Sequence, residues 1–301
     1  MSAHEIHLVR VFAASKGGGN PAPIILNADG LSDHEMRSIA GEYGHESAFV
    51  LRPEDAGHTF RFRFFVPNHE MEMCGHATLG ALWLIQKLGI WTTKWASIET
   101  KSGVVEARIA PTTHGIEVSQ PAGVVTPVDD AALLDETLDV LNLSASDLMP
   151  IGIVNAATSR TKTLIPLKSV AQLHALRPTF ERVEALCSSL NSTGLYPFAV
   201  DAGTSLALQA RQFPRSSGYP EDAATGIAAA ALLYGARHYG LLPGSADSVH
   251  VRQGVAMGRP SEIFVEFRDP LDTALGCWIS GAVQCDGPAG HQADELHQER
   301  P

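Results

Sequence analysis

Thr59-Phe60-Arg61-Phe62-Arg63-Phe64-Phe65-Val66 alternates apolar and polar side chains with period two, which predicts a half-buried strand stopped by Pro67. The same pattern, weaker, predicts strands over Glu5 to Phe12, Pro23 to Leu26, Glu46 to Leu51, Ile98 to Thr100, Val104 to Ile109 and Ile116 to Ser119. Helical spacing appears from Ser32-Asp33-His34-Glu35, a capping-box pattern, to about Tyr43. It returns from Ala77 to Leu88, closed by Gly89. In the second half, Asp129 to Leu141, Phe180 to Leu190 and Ala223 to Tyr239 read as helices. Pro197 to Gln209, His250 to Arg252, Ile263 to Phe267 and Trp278 to Val283 read as extended. Gly287 onward is polar without periodicity and is expected to be an unstructured tail.

Two stretches repeat one unit. Met71-Glu72-Met73-Cys74-Gly75-His76-Ala77-Thr78 and Pro220-Glu221-Asp222-Ala223-Ala224-Thr225-Gly226-Ile227 are small-residue loops running into apolar helices, each after an extended segment. Aligning them puts Cys74 over Ala223 and predicts a duplicated α+β domain: two pseudo-symmetric lobes, residues 1–121 with a return of about 278–286, and residues 122–277. A helix start carries unpaired N–H groups and the positive end of the helix dipole. Two such starts facing one cleft would hold a carboxylate and stabilise negative charge forming beside it.

Composition narrows the partners. The 301 residues carry 22 Lys+Arg against 33 Asp+Glu, a net charge of −11 that argues against nucleic acid or an anionic membrane. No apolar run reaches membrane-spanning length and no signal peptide is visible. Cys74, Cys187, Cys277 and Cys285 lack CxxC spacing, as in reduced cytosolic thiols. A soluble cytoplasmic protein acting on a small carboxylate is expected. Ser15-Lys16-Gly17-Gly18-Gly19 is a turn, since neither phosphate-loop nor dinucleotide spacing follows it.

The titratable candidates are Glu46, His76 and Asp222, with Cys74 as a lone thiol. Each also has a plainer reading: a solvated carboxylate, a core histidine, an N-terminal cap and a small buried loop residue. A two-thiol racemase is disfavoured, because the second loop has no cysteine. His69, Cys74 and His76 match no common zinc spacing, so no metal is expected; no motif implies nicotinamide, flavin or pyridoxal phosphate.

Six motifs occur in order: Gly19-Asn20-Pro21-Ala22-Pro23-Ile24, Glu46-Ser47-Ala48-Phe49-Val50, Cys74-Gly75-His76-Ala77-Thr78-Leu79-Gly80, Glu221-Asp222-Ala223-Ala224-Thr225-Gly226, Gln253 to Ser261, and Ile279-Ser280-Gly281-Ala282-Val283. Together they resemble the PhzF family of phenazine-biosynthesis-like isomerases, which share the diaminopimelate epimerase fold. The resemblance implies two lobes, each a mixed sheet wrapped around a central helix, and a homodimer. It also implies cofactor-independent isomerisation in the manner of trans-2,3-dihydro-3-hydroxyanthranilate, where a proton moves between ring carbons. Glu46 then matches the acid/base, and His76 and Asp222 the groups that hold and polarise substrate. Gly75 and Gly226 match loop glycines lying against it, with Ala77, Thr225, Ile227 and His45 lining the same site. Ile227 stands where that isomerase has serine, and His45 where it has a small hydroxyl residue, so the substrate is expected to differ. An amino-acid epimerase and a non-catalytic ligand-binding protein are the alternatives.

Overall fold

The computed structural model describes residues 5–110, 115–201, 207–242 and 246–288. They fall into two compact units: residues 5–13, 20–119 and 280–288 in the first, and residues 14–19 and 120–279 in the second.

In the first unit, β1 (Ile6–Val11) pairs antiparallel with β2 (Asn20–Ile25). Ser32 and Glu35 close a reciprocal capping box at the head of α1 (Asp33–Tyr43), and Gly44, at φ 66°, ends that helix in the left-handed conformation. β3 (Ser47–Leu51) runs parallel to β2, and β4 (Phe60–Val66) runs antiparallel to β3. The short β5 (His69–Met71) folds back on β4 and leads to α2 (Gly75–Lys87). β6 (Trp95–Thr100) is parallel to β4, followed by antiparallel β7 (Gly103–Ile109) and β8 (Ile116–Gln120).

Successive strand residues face opposite sides of a sheet, and both sides are used here. Ile25, Phe49 and Phe65 pack with Met36 and Ala40 of α1. On the other side, Val9, Val11 and Ile24 meet α2 so closely that a Cβ on Gly80 would lie 2.8 Å from Val9 Cγ2. Nine residues of α2 between His76 and Ile85 are buried, which is why this helix is apolar on nearly all faces.

The second unit begins with β9 (Val124–Pro127), α3 (Ala131–Leu141), β10 (Val154–Ala157) and β11 (Thr161–Leu167). Then come α4 (Val170–Ala175), α5 (Phe180–Ser189), β12 (Gly194–Val200), β13 (Ala207–Ala210) and the two-residue β14 (Phe213–Pro214). The buried helix α6 (Gly226–His238) precedes β15 (Ser248–Gln253) and β16 (Ser261–Phe267). β17 (Cys277–Ser280) carries the chain back to the first unit, where β18 (Val283–Pro288) pairs antiparallel with β1.

The duplication is explicit in the ladders. In the first unit β1, β2, β3, β4, β6 and β7 join as antiparallel, parallel, antiparallel, parallel, antiparallel. In the second, β10, β11, β12, β13, β15 and β16 join in the identical order. Each first strand also has an outer antiparallel neighbour, β18 on β1 and β9 on β10. The expected α+β class is what the molecule has: each unit contributes a mixed ladder and one apolar, largely buried helix, α2 in the first and α6 in the second, and the strands belong to a single mixed sheet.

Three expectations need correction. The central helices start at Gly75 and Gly226, so Cys74 and Thr225 hold equivalent N-cap positions and the alignment of Cys74 with Ala223 was two residues out. Ala223 and Ala224 stay outside α6 because Asp222 is bridged to Gln212 and held from Gln253. The one extended segment expected over Trp278 to Val283 is two strands, β17 (Cys277–Ser280) and β18, and β18 continues to Pro288, two residues into the expected tail; residues 289–301 lie outside the described residues. Finally, Pro197 to Gln209 is two strands, with 202–206 outside the described residues.

Candidate functional site

In the first unit the expected residues converge at the start of α2. Cys74 is extended at φ −136°, and its own side chain makes no cap hydrogen bond to the first turn. Instead the thiol turns to Glu46, just ahead of β3, and donates to Oε2 at 2.8 Å. His76 Nδ1 lies 3.4 Å from the same sulfur and 3.7 Å from the same carboxylate oxygen. The Glu46 and His76 side chains are only 15% and 7% exposed, so this carboxylate is removed from most of its water. Thr78 locks the turn, its backbone N–H and hydroxyl both donating to the Cys74 carbonyl at 2.9 and 2.7 Å. Gly75 is the first helical residue, Ala77 is buried beside it, and the half-buried His45 offers its carbonyl to the Ser47 hydroxyl. His69 is exposed on β5 and stands outside this cluster.

Of the four cysteines, Cys187 and Cys277 are buried, and burial pushes their thiols up to about 11 and about 12. Raised in this way by burial, neither thiol is disposed to ionise and act as a nucleophile. Cys285 is exposed, leaving Cys74 as the one set against a carboxylate and an imidazole.

The second unit gathers another polar cluster at the start of α6. The N-cap residue Thr225 does not cap either, because its hydroxyl donates to Asp222 Oδ2 at 2.5 Å. Gln253, fully buried at the end of β15, explains that orientation. Its Nε2 donates to the Asp222 carbonyl at 2.7 Å and to Thr225 Oγ1 at 3.2 Å. Its Oε1 accepts from the Tyr196 hydroxyl at 2.9 Å and from the Thr225 amide at 3.3 Å. Donor and acceptor roles are therefore fixed along Tyr196, Gln253, Thr225 and Asp222, and the carboxylate end can only accept. Burial, and then the nearby Asp222 charge, raise the Tyr196 phenol well above its ordinary value, so it stays a donor. Gly226 and Ile227 open the helix and are buried.

Tyr196 and Gln253 were not expected as site residues. Gln253 opens one of the six motifs, but nothing in the sequence links it to Asp222, 31 residues earlier. The next residue, Gly254, has φ 74°, and a Cβ there would lie 2.3 Å from the Arg259 carbonyl and 2.7 Å from that of Ala223. Gly254→Ala is thus expected to cost about 2–5 kcal/mol, from the left-handed backbone plus a clash with two main-chain oxygens. Chemical denaturation measures it; a loss below about 1 kcal/mol would refute this account.

These units define a duplicated α+β protein with polar and titratable side chains gathered at the uncapped start of each central helix. The family model for phenazine biosynthesis-like proteins matches residues 9–279, and the chain belongs to that family. The uncharacterized isomerase YddE of Escherichia coli O157:H7 is 31% identical over 291 residues, covering 93% of this chain and 95% of its own. Trans-2,3-dihydro-3-hydroxyanthranilate isomerase of Pseudomonas aeruginosa is 31% identical over 284 residues, with 92% and 95% covered. The crystal structure of a PhzF-family phenazine biosynthesis protein from Bacillus anthracis superposes with a TM-score of 0.83 at 25% identity, over 95% of this chain and 97% of that one.

Proposed function

We propose that the protein is an isomerase that moves a proton, and with it a double bond, in a small cyclic carboxylate metabolite. Glu46 is the acid/base, His76 and Asp222 hold and polarise the substrate, and the uncapped helix starts receive its negative charge. The observation that carries this reading is the Glu46 carboxylate, 15% exposed and held through one oxygen by Cys74 beside His76. A positioned, partly desolvated carboxylate at the positive end of a helix suits proton transfer next to a carbon that becomes carbanion-like. The isomerase names of relatives about 30% identical support the reaction class.

Ile227, at the second position where the resemblance places substrate, is buried and aliphatic. A site without that hydroxyl discriminates against a ligand that needs one, so the natural substrate differs from trans-2,3-dihydro-3-hydroxyanthranilate on that side. A cytosolic homodimer is part of the same proposal, to be checked by sedimentation.

The test is incubation of the protein in D₂O with trans-2,3-dihydro-3-hydroxyanthranilate and related cyclic carboxylates, followed by proton NMR. Deuterium uptake or a shifted double bond is expected for at least one of them. Tight binding of such a carboxylate with no exchange would sink the catalytic reading and leave a ligand-binding protein.

One contact favours a second reading. Cys74 Sγ is 3.4 Å from His76 Nδ1, close enough for imidazole to take the thiol proton and make Cys74 itself the base of an epimerase. Cys74→Ala would then abolish exchange while Glu46→Gln spared it.

A further inference from the structure

We propose that Glu46, Cys74 and His76 form a binding site for a thiophilic divalent cation, zinc(II) being the ion that fits, and that its occupancy switches the acid/base chemistry off. The binding rests on geometry alone; the switching rests on Glu46 being the acid/base group.

The donor set is one thiol sulfur, one imidazole nitrogen and one carboxylate oxygen, all within 4.8 Å of one another. Zinc bonds of roughly 2.3 Å to sulfur and about 2.1 Å to nitrogen or oxygen, at tetrahedral angles, place ligand atoms about 3.5 Å apart. The sulfur-to-nitrogen distance is 3.4 Å and the nitrogen-to-oxygen distance 3.7 Å, both close to that requirement. The sulfur-to-oxygen distance, 2.8 Å, is a hydrogen bond and must open by about 0.7 Å when metal replaces the proton. A rotation of the Glu46 side chain would have to supply that much.

The exchange balances. The Cys74 S–H bond breaks, its proton leaves to solvent, and the sulfur lone pair forms the bond to zinc. His76 binds through the Nδ1 lone pair with its proton on Nε2, and Glu46 binds as carboxylate. Thiolate and carboxylate together neutralise the dication. The positive end of α2 opposes a cation but also favours the thiolate that zinc requires. Three protein ligands leave the fourth position for water or a substrate carboxylate, as in zinc sites that are not purely structural. Soft sulfur selects zinc over magnesium or calcium.

Such a site escapes sequence inspection because Glu46 precedes Cys74 by 28 residues and reaches it from the mouth of another strand. Bound zinc would occupy the oxygen that Cys74 now holds and would fix His76, so a carboxylate needed as a mobile base becomes a ligand.

The experiment titrates zinc chloride into the full-length protein by calorimetry, in buffers of different ionisation enthalpy. One equivalent should bind, with close to one proton released. Cys74→Ser and His76→Asn should each weaken binding by at least about 100-fold, while Cys285→Ser, on the exposed thiol, leaves it unchanged. Cadmium-113 NMR of the unaltered protein adds a readout independent of variant folding: the resonance should report a single thiolate ligand. Absence of binding, binding indifferent to Cys74→Ser, or loss on Cys285→Ser would each overturn the site. Where a substrate shows exchange, zinc should abolish it and a chelator restore it. Intact binding without inhibition would refute the switch, whereas intact binding without exchange on any substrate would refute the isomerase reading and leave the metal site standing.

Discussion

Glu46→Gln is expected to lower the rate of proton exchange from D₂O by about 10³-fold, within the 10²–10⁴ that a positioned acid or base contributes. The amide is nearly isosteric, and its oxygen can still accept from the Cys74 thiol that now binds Oε2. The loop before β3 therefore keeps its shape and the melting temperature should move little, so lost exchange would report on the proton and not on folding. Glu46→Asp is the companion variant. It keeps the acid but withdraws it by one methylene from Cys74 and His76, and a misplacement of about 1 Å can cost about 10²-fold. Loss in both variants, with unchanged substrate affinity, is the signature of an acid/base group. Exchange that survives Glu46→Gln and dies in Cys74→Ala would transfer the role to the thiol.

The first unit was the more legible half, for physical reasons. Residues 59–66 alternate because Phe62 and Phe64 are buried while Arg61 and Arg63 are not, and Ser32 with Glu35 writes its capping box into four letters. In the second unit, β10 is four residues long and β11 contains Pro166, which normally argues against a strand interior. Pro166 is tolerated there: its carbonyl accepts from the Met149 amide at 2.9 Å, while the ring lies opposite Phe198 in the parallel pair. The titratable residues were visible as types and the helix starts as punctuation. Their partners were not, because Glu46 and Cys74, or Tyr196 and Gln253, meet only through strand order. The two-residue slip between Ala223 and Thr225 has the same origin: a tertiary hydrogen bond from Gln253, not local propensity, decides where α6 begins.

Arg211 and Glu221 carry the largest stability effect expected in the second unit. Their side chains are 7% and 9% exposed, and the guanidinium grips the carboxylate through two bonds of 2.9 and 2.6 Å. Arg211 also donates to the carbonyls of Leu173 and Leu176 at 3.2 and 2.9 Å, and it stacks 5.0 Å above the Phe213 ring. The pair closes the loop 212–220 at its base, one residue on each side of the Gln212–Asp222 bridge. Removing one partner leaves an uncompensated buried charge, so Arg211→Met should cost about 3–5 kcal/mol in chemical denaturation. Glu221→Gln should cost less, because the amide oxygen still accepts from the guanidinium. The double variant Arg211→Met/Glu221→Leu should recover most of the loss, since apolar side chains of similar volume often replace a buried pair at little cost. Proton exchange need not recover with it. If the ion pair acts only on stability, the refolded double variant regains full activity; if its fixed geometry holds Asp222 against the substrate, stability returns and turnover does not. A single variant as stable as the unaltered protein would show that the pair is solvated, contrary to its burial.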